Sequence, residues 1–411
     1  MLSYLNNLKL LSFKEWILLL YPFSCFSHVA VNVILVLSSF ILILEVIKKK
    51  LLHCLKVKWA YLYIIFIFYN IFNSFFSSDF LNAFQSSFSQ FRFLFFAFFI
   101  YLCIPNLNNL HLIIRTWIGL LLFVCLDGIY QYIYLNDFFG FPKHTTRLSG
   151  PFGDRLVLGT YLTYISVPII FYYFPKVNKY NCCKKLFFIF IYLVLLLTIT
   201  ISGERLALII FIFSSLFIYF FYTNLRKVFI FLLFLSIFIF FNFFMNPIFK
   251  ARTNDLISIL SNFYSSSYGR LYESSFLLFK KNPFFGVGFK NYRVDCDDQI
   301  DPRPNSPWQF CSTHPHNLYL EILTETGIIG FVLFFLIFYY FFIYALNKIK
   351  NNIPNKNYQK YSSLMYGNLL IIFIYLWPLK TSGSFFTTWN ASFFWLNLGF
   401  VLLILRKTVK N

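Results

Sequence analysis

The sequence is poor in charged residues, and acidic ones are the scarcest. Only 12% of its 411 residues are charged, and 15 acidic residues stand against 35 basic ones. Soluble domains carry roughly 25% charged residues, so this chain cannot cover a water-exposed surface of ordinary size. Hydrophobic residues make up 59% of the chain, and the mean hydropathy is +0.68. This composition predicts a chain embedded in lipid.

Common nucleotide-binding and hydrolytic motifs are also missing. The chain has no P-loop, no Gly-x-Gly-x-x-Gly fingerprint, no His-Glu-x-x-His pair and no nucleophile elbow. A net charge of +20 would favour nucleic-acid binding in a soluble protein. Here the lysines lie in short stretches between apolar runs, so we expect no nucleic-acid partner. The energy for any reaction must come from the substrate, an ion gradient or a partner.

Apolar runs recur along the whole chain and are long enough to cross about 30 Å of hydrocarbon. They predict an all-α polytopic membrane protein with about twelve transmembrane helices in a single membrane domain, 1–411. We divide the first long stretch at Ser24–His28, and Ser202–Arg205 predicts a tight turn between the seventh and eighth runs. The runs cover 10–27, 30–47, 58–75, 85–104, 110–135, 156–175, 185–202, 205–222, 226–244, 317–346, 362–380 and 391–407.

Lys and Arg are distributed unevenly between alternate loops. With the N-terminus in the cytoplasm, 21 of the 35 fall in cytoplasmic segments, Arg92 lies within a helix, and 13 fall on the other side. Short cytoplasmic loops are rich in Lys and Arg, so the bias supports this orientation. Most of the 13 lie in residues 136–155 and 245–316. We therefore expect 245–316 to be a large loop outside the cytoplasm, between helices 9 and 10.

That large loop has its own local patterns. Gly269–Phe285 predicts an amphipathic helix that ends at Asn282–Pro283. Gly286–Gly288 predicts the turn that follows. Cys296 and Cys311 could pair as a disulfide in an oxidising compartment or remain two thiols, and the sequence leaves both possibilities open.

Arginines outside the cytoplasm run against the insertion bias, which makes them candidate functional residues. Arg205 lies at the mouth of a helical hairpin, and its planar guanidinium matches phosphate oxygens. The alternative is a local pair with Glu204 or an interfacial side chain. Arg270 lies at the start of the amphipathic helix, where free N–H groups attract anions. The alternative for Arg270 is a solvated surface residue.

Two histidines flank Pro315 where the loop returns to the membrane. A neutral imidazole of His314 or His316 could take a proton from a hydroxyl group; the alternative is an ordinary interfacial histidine. The spacing and the absence of an obvious acidic or Cys partner argue against a metal site. Pro315 suits the first turn of a helix, which Thr313 or His314 would cap.

Two further stretches on the same side contain candidate substrate-binding residues. Arg147–Arg155 is rich in Gly and Pro and predicts a fixed irregular loop, in which Arg147 and Arg155 could contact phosphate or sugar. Lys380 could do likewise in the last loop. The alternative for both stretches is a solvated loop, and we rank them below Arg205, Arg270 and His316.

Three motifs occur in a fixed order along the second half of the chain. They are Gly203-Glu204-Arg205, the segment Gly269–Gly288 that begins Gly-Arg-Leu-Tyr-Glu, and His314–Gly327, which begins His-Pro-His-Asn-Leu-Tyr. Together with Pro378–Trp389 they resemble the O-antigen ligase and O-antigen polymerase superfamily of bacterial inner membranes. The resemblance covers roughly 147–390.

The resemblance implies an α-helical architecture of the membrane glycosyltransferase C type. Members transfer a glycan from undecaprenyl diphosphate to an acceptor at the periplasmic face, without a nucleotide and, in ligases, without a metal or other cofactor. Arg205 and Arg270 match the arginines that hold the diphosphate. His316 matches the histidine that acts as base on the acceptor hydroxyl, and His314 is an additional histidine that could share this role.

We therefore expect an O-antigen ligase-like glycosyltransferase in the bacterial inner membrane. Its partners would be an undecaprenyl-diphosphate-linked glycan, a lipid A–core acceptor and the surrounding membrane lipids. The alternatives are an O-antigen polymerase, a protein-glycosylating enzyme and, from another class, a glycolipid transporter or flippase. Charges cluster at one face rather than at the midplane, which argues against transport.

Overall fold

Apolar sequence forms helix throughout the described part of the chain. The computed structural model describes residues 8–221 except 106 and 145, residues 261–296, and residues 311–407 except 382, with isolated positions between 226 and 259. Within these residues there is no β-strand. The helices are α1 (Phe13–Ser24), α2 (His28–Lys48), α3 (Lys58–Asn73), α4 (Phe80–Phe88), α5 (Phe91–Cys103), α6 (Leu110–Tyr134), α7 (Leu158–Tyr173), α8 (Cys182–Ile201), α9 (Arg205–Phe221), α10 (Ser267–Lys281), α11 (Tyr292–Asp295), α12 (Leu318–Asn352), α13 (Lys356–Tyr375) and α14 (Thr388–Lys407).

Several of these helices can cross a membrane, so the chain is a multi-pass membrane protein. Within the described residues, seven helical segments are long and apolar enough, namely His28–Lys48, Lys58–Phe76, Phe80–Cys103, Leu107–Tyr134, Cys182–Ile201, Leu318–Asn352 and Thr388–Arg406. Helix α9 is apolar but shorter. Helices α1, α7 and α13 cover three other predicted runs. The predicted run 226–244 lies outside the described residues.

Two predicted helix boundaries are correct. Helix α1 ends at Ser24 and α2 begins at His28, as expected. The tight turn between α8 and α9 is also present, with φ +75° at Gly203. The predicted run 85–104 lies within the apolar segment Phe80–Cys103, which contains a break between α4 and α5 that was not predicted. There Ser89 and Gln90 both donate side-chain hydrogen bonds to the Ser86 carbonyl, and such local bonds compete with helix continuation.

The loops at one end of the bundle are joined to one another, and we call this end the site end. The backbone N–H of Leu148 donates to the Ser202 carbonyl (3.1 Å), and Asn317 Nδ2 donates to the Pro378 carbonyl (2.8 Å). At the opposite end, Lys14 pairs with Glu45 (2.6 Å). The candidate residues Arg147, Arg155, Arg205, Arg270, His314, His316 and Lys380 all lie in segments at the site end.

Helix α12 is interrupted at Gly327, where the segment after α10 packs against it. Gly327 has φ +61° and ψ −169°, and Gly286 has φ +73°. The backbone N–H groups of Val287 and Gly288 donate to the carbonyls of Thr324 and Glu325 (3.0 and 2.9 Å). A Cβ added to Gly327 would lie 2.2 Å from the Phe284 carbonyl oxygen. The two backbones therefore touch directly, which only glycine permits.

Gly327→Ala and Gly286→Ala should each lower the melting temperature of the detergent-solubilised protein by several degrees. A non-glycine residue at positive φ costs about 1–3 kcal/mol, and the new Cβ would clash with backbone atoms. The melting temperature can be followed by loss of the monodisperse peak in size-exclusion chromatography.

Gly119→Ala is the matched control, because a Cβ at Gly119 meets nothing within 4 Å. Alanine also has the better helix propensity, by roughly 1 kcal/mol. Equal melting temperatures for Gly327→Ala, Gly286→Ala and the unmodified protein would contradict the close backbone contact.

Candidate functional site

Glu204 fastens the α8–α9 hairpin to the start of α7. One carboxylate oxygen accepts the backbone N–H of Gly159 (2.7 Å), and the other accepts the backbone N–H and the hydroxyl of Thr160. These N–H groups belong to the first turn of α7, where helical donors lack intrahelical partners. Burial raises the pKa of Glu204, and the bound donors oppose that shift. The carboxylate of Glu204 is thus hydrogen-bonded to α7, and Arg205 is the next residue along the chain.

Arg205 is the first residue of α9 and is half-buried. Its position follows from the turn at Gly203, which reverses the chain within three residues. A guanidinium at a helix N-terminus adds its charge to the free N–H groups there, and both attract anions. This position is compatible with the prediction that Arg205 binds phosphate.

The two arginines of the irregular loop have different surroundings. Arg147 donates to the Leu156 carbonyl (2.7 Å) and lies 3.8 Å from a Glu204 oxygen. Arg155 donates to the carbonyls of Cys25 and Phe26 (3.3 and 2.6 Å), just beyond the end of α1. Arg155 therefore joins two parts of the fold, whereas Arg147 lies next to the hairpin.

The irregular loop itself is fixed, as its glycines and proline predict. The side-chain oxygen of Gln131, on α6, accepts the backbone N–H groups of Ser149 and Gly150 (3.1 and 2.9 Å). Asp127 accepts from the backbone N–H of Phe138 (2.8 Å). Gln131 thus fixes the irregular loop, and Asp127 on the same helix fixes the preceding turn at Phe138.

Arg270 lies in the first turn of α10 and is buried. The helix begins at Ser267, two residues before the predicted start, because the Ser266 hydroxyl accepts the Gly269 N–H (3.2 Å). Only 1% of Arg270 is exposed, which excludes a solvated surface arginine. Gly269 is required beside it, since an added Cβ would lie 2.0 Å from the Phe263 carbonyl oxygen.

His316 adopts a left-handed backbone conformation, and its ring lies near two others. Its φ is +58°, which is uncommon for a residue other than glycine. The ring centroids of His314 and His316 are 4.1 Å apart, and the Tyr268 ring lies 6.0 Å from His316. Tyr268 is two residues before Arg270 on α10. The structure therefore brings the histidine pair next to the helix turn that carries Arg270.

The predicted cap of α12 was wrong. The helix begins at Leu318, and its cap is Asn317, whose side-chain oxygen accepts the backbone N–H groups of Tyr319 and Leu320. Pro315 lies outside the helix, and neither Thr313 nor His314 caps it. The left-handed conformation of His316 prevents the helix from extending further toward Pro315.

Lys380 is buried in the loop between α13 and α14, with 7% of its surface exposed. Its Nζ donates to the Tyr164 hydroxyl (2.8 Å) and lies 4.3 Å from the centroid of the Tyr375 ring. Burial lowers the pKa of Lys380 to about 7, so the side chain loses its charge near neutral pH. The solvated-loop alternative does not hold for this residue.

A series of residues across the site end is connected by hydrogen bonds, a ring contact and short stretches of chain. Thr160 and Tyr164 are four residues apart on α7 and share one helix face; the first binds Glu204 and the second binds Lys380. Pro378, two residues before Lys380, accepts from Asn317, the neighbour of His316. The series is Glu204, Thr160, Tyr164, Lys380, Pro378, Asn317, His316 and Tyr268.

A buried ion pair at the same end was missed by the sequence analysis. Lys290 Nζ donates to Glu321 Oε1 (2.8 Å) and to the Ser384 hydroxyl. The other oxygen of Glu321 accepts the Phe385 N–H (3.1 Å). In the predicted topology Lys290 lies outside the cytoplasm, against the insertion bias. Glu321 is an acidic residue in a membrane helix, where such residues are rare. Either feature could have identified the pair as candidate functional residues.

The disulfide left open by the sequence is present. Cys296 and Cys311 are bonded, which joins the end of α11 to the segment that leads to His314. Within the described residues, no group of three or more His, Cys, Asp or Glu side chains could hold a metal ion.

Comparison with known proteins confirms the resemblance to the O-antigen ligase family. Residues 190–335 match the model of that family, described as "O-Antigen ligase". A protein of Rickettsia conorii named "Putative polysaccharide ligase" is 28% identical over 123 residues, which are 30% of this chain and 26% of that protein. A Rickettsia felis protein of the same description is 30% identical over 128 residues, 30% of this chain and 27% of its own length. The chain thus matches about a quarter of the length of each of these relatives.

Lys290→Met should destabilise the protein strongly, because it leaves the Glu321 carboxylate buried without its cation. Breaking a buried ion pair in this way costs about 3–5 kcal/mol. The double variant Lys290→Met/Glu321→Gln removes both charges and should recover part of the loss. Melting temperatures of the purified proteins measure both effects.

Lys14→Met is the control, since Lys14 pairs with Glu45 at a partly exposed position where Lys49 also binds. Such pairs contribute about 0–1 kcal/mol. If Lys14→Met and Lys290→Met lowered the melting temperature equally, the buried pair would not have the role assigned to it.

Proposed function

We propose that this multi-pass membrane protein, whose residues 190–335 match the O-antigen ligase family, transfers a glycan from undecaprenyl diphosphate to a lipid A–core acceptor. The observation that carries the proposal is the buried Arg270 on the turn of α10 that contacts His316 through Tyr268. A fixed cation and a candidate base are thereby held at one end of an apolar bundle, where a lipid-linked substrate can reach them.

The proposed reaction is a displacement at the anomeric carbon of the carrier-linked sugar. The acceptor oxygen forms the new glycosidic bond, and the bond from the anomeric carbon to the diphosphate breaks. The diphosphate leaves with the bonding electron pair, and the acceptor proton passes to His316. Arg205 and Arg270 stabilise the negative charge that grows on the leaving group, which lowers the barrier more than it tightens substrate binding.

The remaining candidates take supporting roles in this proposal. Arg147, beside Glu204, and Lys380, in the last loop, add positive charge around the diphosphate. His314 lies beside His316, with ring centroids 4.1 Å apart, where it would limit the orientations of that ring. Arg155 holds the loop through backbone carbonyls and contributes to substrate binding only through that loop. The reaction as written needs no metal or other cofactor, so transfer should continue in the presence of EDTA.

For the whole chain we propose about twelve transmembrane helices and a glycosyltransferase C architecture, with the site end in the periplasm. The Lys and Arg bias of the loops supports this orientation.

Arg205→Ala, Arg270→Ala and His316→Ala should each remove most transfer activity while the protein still folds. Loss of a base costs about 10²–10⁴-fold in rate, and loss of one charge-stabilising donor costs about 10²–10³-fold. The measurement uses purified protein in lipid nanodiscs with carrier-linked glycan and lipid A–core, and products are separated by gel and identified by mass spectrometry.

Arg115→Ala is the matched control, since Arg115 is exposed near the opposite end of α6. It should transfer glycan at the rate of the unmodified protein.

Because a nanodisc holds no ion gradient, turnover there contradicts the transporter alternative. Lengthened carrier-linked chains in place of capped lipid A–core would identify a polymerase. Full activity of His316→Ala would exclude this residue as the base.

A further inference from the structure

Two lysines are buried to the same extent at the site end, but only one has a carboxylate partner. Lys290 and Lys380 are each 7% exposed. Lys290 pairs with Glu321 at 2.8 Å. Within the described part of the chain, Lys380 forms no ion pair, and its Nζ meets a tyrosine hydroxyl and aromatic rings. Buried charges in proteins are normally paired, and within the described residues the ammonium form of Lys380 has no counter-charge.

We propose that Lys380 is an anion-binding residue that takes up a proton when a phosphate-type anion binds beside it. The inference rests on the proposed function and assigns the anion to the diphosphate of the donor. The position fits this assignment, because Lys380 lies between the two parts of the site in the series of contacts. Tyr164 connects it toward Glu204 and Arg205, and Pro378 connects it toward Asn317 and His316.

The surroundings of Lys380 determine how its charge responds to pH. The described titratable groups in contact with it are Tyr164 on α7, whose hydroxyl accepts from Nζ, and Tyr375 on α13, whose ring lies over Nζ. Glu204, in the turn between α8 and α9, is occupied by its donors Gly159 and Thr160, which lie about one turn before Tyr164 on α7. Among the described residues, no carboxylate forms an ion pair with Lys380 that would favour its charged form in the free protein.

The sign of the pH effect follows from burial. Burial lowers the pKa of Lys380 to about 7, so the amine is mostly neutral above that pH in the free protein. An anion at hydrogen-bond distance favours the ammonium form. Binding above about pH 7 must then be accompanied by proton uptake, and affinity should fall about tenfold for each further pH unit. Arginines keep their charge throughout this range, so they cannot produce such a dependence.

The test is calorimetry with the full chain in phosphatidylcholine nanodiscs and a farnesyl diphosphate diester of a single sugar as probe. A diphosphate diester does not titrate between about pH 6 and about pH 9, so the probe adds no pH dependence of its own. Titration in two buffers of different ionisation enthalpy counts the protons. We expect uptake of about one proton per probe near pH 8.5, and none by Lys380→Met.

Lys380→Met should also bind the probe about 10–100-fold more weakly near pH 6, where the unmodified lysine is charged. Tyr164→Phe keeps the lysine but removes the hydroxyl that accepts from it, so the pH midpoint of binding should shift lower. Lys360→Met is the control, because Lys360 also lies over a tyrosine ring (5.1 Å) but at the opposite end. It should leave both the affinity and the proton uptake unchanged.

Equal proton uptake by Lys380→Met and the unmodified protein would overturn the inference, as would an unmoved midpoint in Tyr164→Phe. If the inference fails while Arg205→Ala and Arg270→Ala still abolish transfer, the proposed function stands without it. If the unmodified protein does not bind the probe, both fail. Loss of proton uptake when phosphatidylglycerol replaces phosphatidylcholine would assign the anion to a lipid headgroup and overturn the assignment to the donor.

Discussion

The carboxylate of Glu321 is the group on which the arrangement of the site end depends. It binds Lys290, which follows α10, and it also binds Ser384 and Phe385 in the loop before α14. Three segments that are far apart in sequence therefore meet at the first turn of α12. Because two opposite charges are buried together, loss of either one leaves the other without compensation. The fixed relation of these segments holds the parts of the chain that carry the candidate residues Arg270, His316 and Lys380 at one end of the bundle.

The same physical constraint separates structural cations from functional ones. A cation buried in an apolar bundle must find a carboxylate, backbone carbonyls or a ligand. Lys290 has a carboxylate and Arg155 has the carbonyls that follow α1. Lys380 has a hydroxyl and aromatic faces, which solvate an ammonium group less well than an anion does. Among the described lysines, Lys380 differs from the equally buried Lys290 in having no carboxylate partner, and the proposed anion site rests on this difference.

The structural features that depend on local sequence patterns could be predicted from the sequence. Hydrophobic runs predicted most of the helices, Ser202–Arg205 predicted the hairpin, and Gly286–Gly288 predicted the turn against α12. The break within 85–104 was not predictable from hydrophobicity, since it depends on side-chain bonds of Ser89 and Gln90. The cap at Asn317 was missed for a similar reason. Pro315 suits a first helical turn as well as Asn317 suits a cap, and only the backbone of His316 decides between them.

The candidate site was predictable as a set of cations on one side, but their partners were not. Arg147 and Arg155 lie in one short loop with equal charge, yet one faces Glu204 and the other faces the end of α1. Charge bias can indicate that both lie outside the cytoplasm. It cannot indicate which acceptors are within reach, because Glu204 and the carbonyls after α1 are brought close only by the fold.

The backbone of His316 connects the candidate base to the rest of the site. A left-handed conformation at a non-glycine residue costs about 1–3 kcal/mol, and it persists only where its surroundings impose it. Here Asn317 supplies that constraint twice, because its oxygen caps α12 while its Nδ2 binds the Pro378 carbonyl. Pro378 is two residues from Lys380, so the loop that carries the amine also holds the backbone that orients the imidazole. A shift of that loop on anion binding would therefore reach His316 directly, and the diphosphate and the base would be positioned together.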